Sequence, residues 1–136
     1  MLSAEQKGIT LSWQLEEIRL RGDRTRLKEL SENLATNALR HCPAGGRIQV
    51  SLTVEGNNVR LTVDNDGPQI PPEDLPHLWE PFYRGDKSHS RESGGTGLGL
   101  AIVRAAAQAH GGAWGAENRP GGVIFWVLLP LVPPGP

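Results

Sequence analysis

The feature that most restricts the fold is a pair of alternating runs. Ile48, Val50, Leu52 and Val54 recur at every second position, and Val59, Leu61 and Val63 do so shortly after. Strand side chains alternate between faces, so each run reads as a strand with one apolar face. Gly56-Asn57-Asn58 between them is a turn signal, and together they predict a hairpin. An apolar sheet face must be buried against a second layer.

Helices supply that layer. Leu27, Leu30, Leu34 and Ala38 share a helical stripe, which predicts a helix from Arg24 to about His41. Asp23 is a good N-cap, and Pro43, Gly45 and Gly46 end the segment. Leu98, Ile102, Ala105 and Ala109 define a second long helix, stopping at Gly111-Gly112. Ile9, Leu11, Trp13 and Leu15 predict an opening strand with one buried face, and residues 18–20 a second short strand. Residues 113–117 and 123–129 read as the final strands, the last apolar on both faces as in a covered sheet. Residues 73–79 suggest a short helix, and 84–93 a mobile polar loop. The fold class is α/β, with about three helices on one face of a mixed, mostly antiparallel sheet of about five strands.

The chain has 136 residues, enough for one domain with its own core. Its single cysteine, Cys42, excludes an internal disulfide framework and suits a reducing compartment. A net charge of −1 gives no electrostatic footprint for nucleic acid. No apolar run approaches the roughly 18 residues of a membrane span, so the chain itself is not expected to contact a membrane.

Four segments carry candidate chemistry. Asn33, Asn37 and Arg40 fall within about 60° on the first helix, beside its leucine stripe. Amide oxygens there can ligate Mg²⁺, and Arg40 can meet phosphates, although a solvated helix face would also accommodate two asparagines. Gly94-Gly-Thr-Gly-Leu-Gly-Leu-Ala101 runs straight into the second helix, where glycines and free N–H groups favour phosphate. It is neither a P-loop nor a good dinucleotide fingerprint, and a loop feeding a helix is the plain alternative. Asn65-Asp-Gly-Pro-Gln-Ile-Pro71 ends a strand, where an amide can accept from an adenine amino group or simply form a turn. Leu78-Trp-Glu-Pro-Phe-Tyr-Arg-Gly85 precedes the polar loop and reads as a lid anchor or as core packing.

In this order and spacing, the four resemble the ATP-binding catalytic domain of sensor histidine kinases, among the Bergerat-fold ATPases. Residues 32–41 look like the family's asparagine box, 63–71 its first glycine box, 78–85 its phenylalanine box and 95–103 its second glycine box. Gly121-Gly122 fits the last small box. The resemblance covers about residues 8–131, and implies that 1–136 is one such domain without its acceptor-histidine dimerisation domain. It implies a two-layer α/β sandwich with ATP beneath a lid, and Mg²⁺ on Asn37 with Asn33 assisting catalysis. Arg40 and His41 would stand near the phosphates and ribose, and Asn65 at the adenine amino group. Gly95, Gly97 and Gly99 would bring amides to the phosphates, with Gly67, Ile70, Thr96, Leu98 and Leu100 completing the nucleotide-binding set. Arg84 would reach the γ-phosphate, and Phe82 would pin the stem of the lid.

The implied reaction is transfer of the γ-phosphoryl group of ATP to a histidine on a separate dimerisation domain, which then serves a response regulator. The implied location is cytoplasmic, on a parent protein anchored in the cell membrane. His77, His89 and His110 do not follow the acceptor pattern. A stand-alone serine kinase of the anti-sigma type and a non-catalytic or ATP-hydrolysing Bergerat domain share the ATP site. Hydrolysing relatives carry Glu where this chain has Asn33, and an amide cannot take a proton near neutral pH. Two positions depart from the usual pattern: Asn65 replaces Asp, and Gln69 replaces Gly.

Overall fold

The computed structural model describes residues 7–83 and 98–132. Five strands and two α-helices follow in the order β1 (Thr10–Leu15), α1 (Arg24–His41), β2 (Arg47–Glu55), β3 (Asn58–Asp66), α2 (Gly99–Ala109), β4 (Ala113–Arg119) and β5 (Gly122–Pro130). The strands form one open sheet in the order β1-β2-β3-β5-β4. β1 runs parallel to β2, and every other pairing is antiparallel. The two helices lie on one face of this mixed sheet, a two-layer α/β arrangement.

The predicted hairpin is β2–β3, turning at Gly56 with φ 62°. α1 begins and ends as expected. The Asp23 carboxylate accepts from the Arg26 N–H at 3.1 Å, satisfying one donor of the first turn. Leu30, Leu34 and Ala38 join Val63, Phe125 and Val127 in the core cluster. Burying each large apolar side chain is worth about 1.5–3 kcal/mol. α2 ends at His110, whose ring ties the two helices together. The Asp23 N–H donates to its Nε2 at 3.0 Å, and its Nδ1–H therefore donates to the Ala106 carbonyl at 2.7 Å. A β-carbon on Gly22 would lie 2.6 Å from that Nε2, so glycine there admits the ring.

Several expectations fail for physical reasons. The inward face of α2 is Val103, Ala106 and Ala107, whereas Ala105 and Ala109 are exposed. That helix is apolar on most sides, so periodicity does not choose a face. β1 is exposed along its whole length, Trp13 by 62% and Leu15 by 57%. It is an edge strand, and the helix layer covers the middle of the sheet. β5 buries Val123, Phe125, Val127 and Leu129, while Ile124, Trp126 and Leu128 on the other face stay half-buried. Among the described residues, the helices therefore cover one side of the sheet. Residues 18–20 form no strand; Ile18 and Leu20 pack against the core as the chain crosses to α1. The short helix at 73–79 reduces to a 3₁₀ turn over Leu75–His77, with Pro76 inside it. Besides that turn, the helix layer of the described residues consists of α1 and α2.

Candidate nucleotide site

Asn33, Asn37 and His41 follow at one-turn intervals along α1, a span of roughly 12 Å at 1.5 Å per residue. At one end, Asn33 Nδ2 donates to the Glu29 carbonyl at 2.8 Å, leaving Oδ1 turned toward the start of α2. A β-carbon on Gly99 would come 3.2 Å from that oxygen, so the first residue of α2 lies close against Asn33. Leu98 and Leu100 flank it and are half-buried. At the other end, a β-carbon on Gly67 would come 2.6 Å from the His41 carbonyl oxygen and 3.6 Å from Asn65 Nδ2. Helix α1 thus connects the two predicted halves of the site.

Asn65 is fully buried on the core face of β3, between Ile48 of β2 and Val123 of β5. Its Nδ2 donates to the Asp66 carbonyl at 2.9 Å. Its Oδ1 has no partner, and neither does the buried Nδ2 of Asn37. Buried polar groups are otherwise paired in native proteins, so each orphan points to a missing ligand atom. Oδ1 of Asn65 asks for a donor. Asn37 can offer its amide oxygen by a half turn of the side chain, and a hard cation takes such oxygens. Among the described residues no group of three or more His, Cys, Asp or Glu side chains converges. A cation here would therefore share few protein ligands, which suits one arriving with phosphates.

His41 is exposed, with its ring 6.3 Å from that of Phe125 between centroids. Desolvation beside the protein and then the charge of Arg40 push its pKa below the ordinary histidine value, which favours the uncharged ring. Arg40 is exposed in the last turn of α1. Ile70 is buried against the core. Phe82 is 69% exposed at φ 64°, so it does not pack where a pin would. Trp79 is buried edge-on against Phe125, and the Tyr83 hydroxyl donates to Asp74. That bond lifts the Tyr83 pKa to about 12. Arg84, Gly95, Thr96 and Gly97 lie outside the described residues.

Asn118 and Arg119, at the end of β4, carry no signal in the local sequence. Their partners are about fifty positions away: Ile70 for Asn118, Asp64 and Asp66 for Arg119. The Arg119 guanidinium bonds hold the Asp66 carboxyl below the usual carboxylate range. Gln69, the departure from the usual glycine, donates to the Arg119 carbonyl at 2.7 Å.

The family described as "Histidine kinase-, DNA gyrase B-, and HSP90-like ATPase" matches residues 22–133. The chain belongs to that family. It is 43% identical over 131 residues to the sensor histidine kinase CpxA of Escherichia coli strain K12, covering 94% of this chain and 28% of CpxA. It is 45% identical over 122 residues to the sensor protein SphS of Synechococcus elongatus, covering 84% of this chain and 30% of SphS. The chain thus spans less than a third of the length of these curated relatives. Among solved structures, the nucleotide-free catalytic domain of the histidine kinase ThkA superposes with a TM-score of 0.84 at 32% identity. That match covers 96% of this chain and 84% of that one. ThkA in complex with the response regulator protein TrrA matches with a TM-score of 0.74 at 29% identity, covering 93% of this chain and 35% of that one. As a histidine kinase-like ATPase domain, the chain holds the buried Asn65 on the sheet and the half-buried Asn37 on the helix that the family's fold supplies. No described helix is long and apolar enough to cross a membrane.

Proposed function

We propose that this chain, residues 1–136, is the single nucleotide-binding catalytic domain of a sensor histidine kinase. It binds Mg-ATP and passes the γ-phosphoryl group to a histidine on a separate dimerisation domain, which in turn serves a response regulator. In the parent protein this domain works on the cytoplasmic side of the membrane. The observation that carries the reading is the pair of unpartnered buried amide atoms on Asn37 and Asn65, one on each side of His41 and Gly67.

Each residue then has a task its chemistry allows. Asn65 Oδ1 accepts from the adenine amino group, beside Gly67 and Ile70. Asn37, with Asn33 assisting, turns an amide oxygen to Mg²⁺, which supplies charge neutralisation at the phosphates when bound. Arg40 adds positive charge, while the uncharged ring of His41 lies toward the ribose without competing for the cation. The start of α2 at Gly99 and Leu100 offers backbone N–H groups to phosphate, as helix N-termini do, with Leu98 beside them. Arg84 meets the γ-phosphate, and Gly95, Thr96 and Gly97 complete the nucleotide-binding set at the phosphates. A neutral imidazole nitrogen is already a nucleophile, so positioning and charge neutralisation suffice and no general base is needed at Asn33.

Two measurements test this. The chain incubated with labelled Mg-ATP should not label itself, but should label a supplied acceptor-histidine domain, giving an acid-labile, base-stable phosphate. Stable phosphoserine on a partner would instead make it a serine kinase. In titrations, Asn65→Leu should lose about 1–3 kcal/mol of ATP binding, the cost of stranding a buried polar group of the base. GTP, whose ring carries a carbonyl at that position, should lose less. Equal losses for both would remove Asn65 from the base pocket.

A further inference from the structure

Resting on the nucleotide reading above, we propose that Asn118 is a positioning residue that sets the base selectivity of the pocket through Ile70. Among the described residues no strand pairs with the segment after β3, yet Ile70 is only 8% exposed. Its N–H and C=O therefore need partners, and one side chain supplies both. The Ile70 N–H donates to Asn118 Oδ1 at 2.8 Å, and Asn118 Nδ2 donates to the Ile70 carbonyl at 2.8 Å. The amide stands in for a neighbouring strand.

The register explains why Asn118 can do this. Asn65 faces Val123, and Val123 faces Asn118, so the two amides point to the same face with one strand between them. Asn118 thereby fixes Ile70 relative to the open acceptor of Asn65. The next residue works on the opposite face, as strand alternation requires. Arg119 reaches across β5 to Asp64 at 2.6 Å and Asp66 at 2.7 Å. It crosses at Gly122, where a β-carbon would come 2.7 Å from the guanidinium carbon. The Gly67 N–H also donates to the Gly121 carbonyl at 3.0 Å. The base-binding segment is thus held on both faces by the tip of the β4–β5 hairpin, and the Asn118 contact lies on the face that carries Asn65.

A pocket held this way discriminates by geometry. Ile70 sets how the base enters, and Asn65 Oδ1 then meets an amino purine with a donor and a keto purine with a clash of acceptors. When Ile70 is released, the base can shift and the penalty for the wrong purine falls.

The test is titration of the 136-residue chain and its variants with ATP and GTP at matched Mg²⁺, alongside melting temperatures. Asn118→Ala should weaken ATP binding about tenfold and GTP binding less, so that the preference for ATP shrinks. Asn118→Asp keeps the acceptor for the Ile70 N–H and loses the donor, and should fall between. A lower melting temperature with the ATP-to-GTP ratio unchanged would make Asn118 merely structural and overturn the proposal. If Asn118→Ala does not fold, the ratio for Asn118→Asp decides in the same way. A wild-type chain that binds ATP and GTP alike overturns the proposal but leaves the nucleotide reading standing. A wild-type chain that binds neither overturns both, before any variant is made.

Discussion

Replacing Asn37 by alanine will cut affinity for Mg-ATP and Mg-ADP by at least about tenfold, roughly 1.4 kcal/mol, without destabilising the fold. The two halves of this expectation have separate causes. In the ligand-free chain, the buried Nδ2 of Asn37 has no partner. Deleting an unpaired buried group removes a cost, and alanine is the better helix former in the interior of α1. Unfolding in urea should therefore give a midpoint equal to or slightly above wild type. With Mg-nucleotide present, the same deletion removes the amide oxygen facing the cation, and calorimetry should register the loss. Comparing binding with and without Mg²⁺ localises the effect, since metal-free nucleotide should bind wild type and variant more nearly alike. Unchanged Mg-ATP binding would take Asn37 out of the site.

Gly67→Ala will damage both stability and binding, because its position forbids a side chain twice over. Its φ of 148° suits glycine, and a β-carbon would lie 2.6 Å from the backbone carbonyl oxygen of His41. That oxygen belongs to the last turn of α1 and cannot swing away like a side-chain tip. Strained backbone and a backbone clash together should cost about 2–4 kcal/mol, at the upper end of single substitutions. The movement that relieves the clash must separate His41 from the strand end carrying Asn65, so nucleotide affinity should fall even where the variant remains folded. Urea unfolding and ATP titration at low temperature read the two effects. A variant as stable as wild type would show that the β3 end yields freely, and would sink the idea that Gly67 fixes the width of the site.

Legibility in the sequence followed contrast between polar and apolar positions. α1 and the β2–β3 hairpin alternate sharply, and both were readable nearly to the residue. α2 is nearly all small and apolar, so its existence was plain while its buried face was not. β1 shows a good strand pattern, but a pattern says which residues share a side and not whether anything covers it. Asn33, Asn37 and Asn65 stand out as candidates in the sequence because helical spacing, a strand end and the family resemblance place them in one series. Their unpaired atoms became visible only with the structure. Asn118 and Arg119 were missed because a contact across about fifty residues leaves no local trace. Gln69 looked like a defect in a glycine motif, and its bond to the Arg119 carbonyl gives it work there.

The open edge formed by Leu11, Trp13, Leu15 and Val54 has a practical consequence for handling the protein. Environment-sensitive dyes that fluoresce on apolar surface will bind the native chain there, in the way they usually report loosened, partly unfolded states. A dye-monitored melt will start from a bright baseline and understate the transition, and a ligand-induced shift read from such a curve will mix dye displacement with stabilisation. Trp13 sits in that edge and will share the artefact through its own emission. Trp79, buried against Phe125 in the interior, is the indole whose signal follows the fold itself.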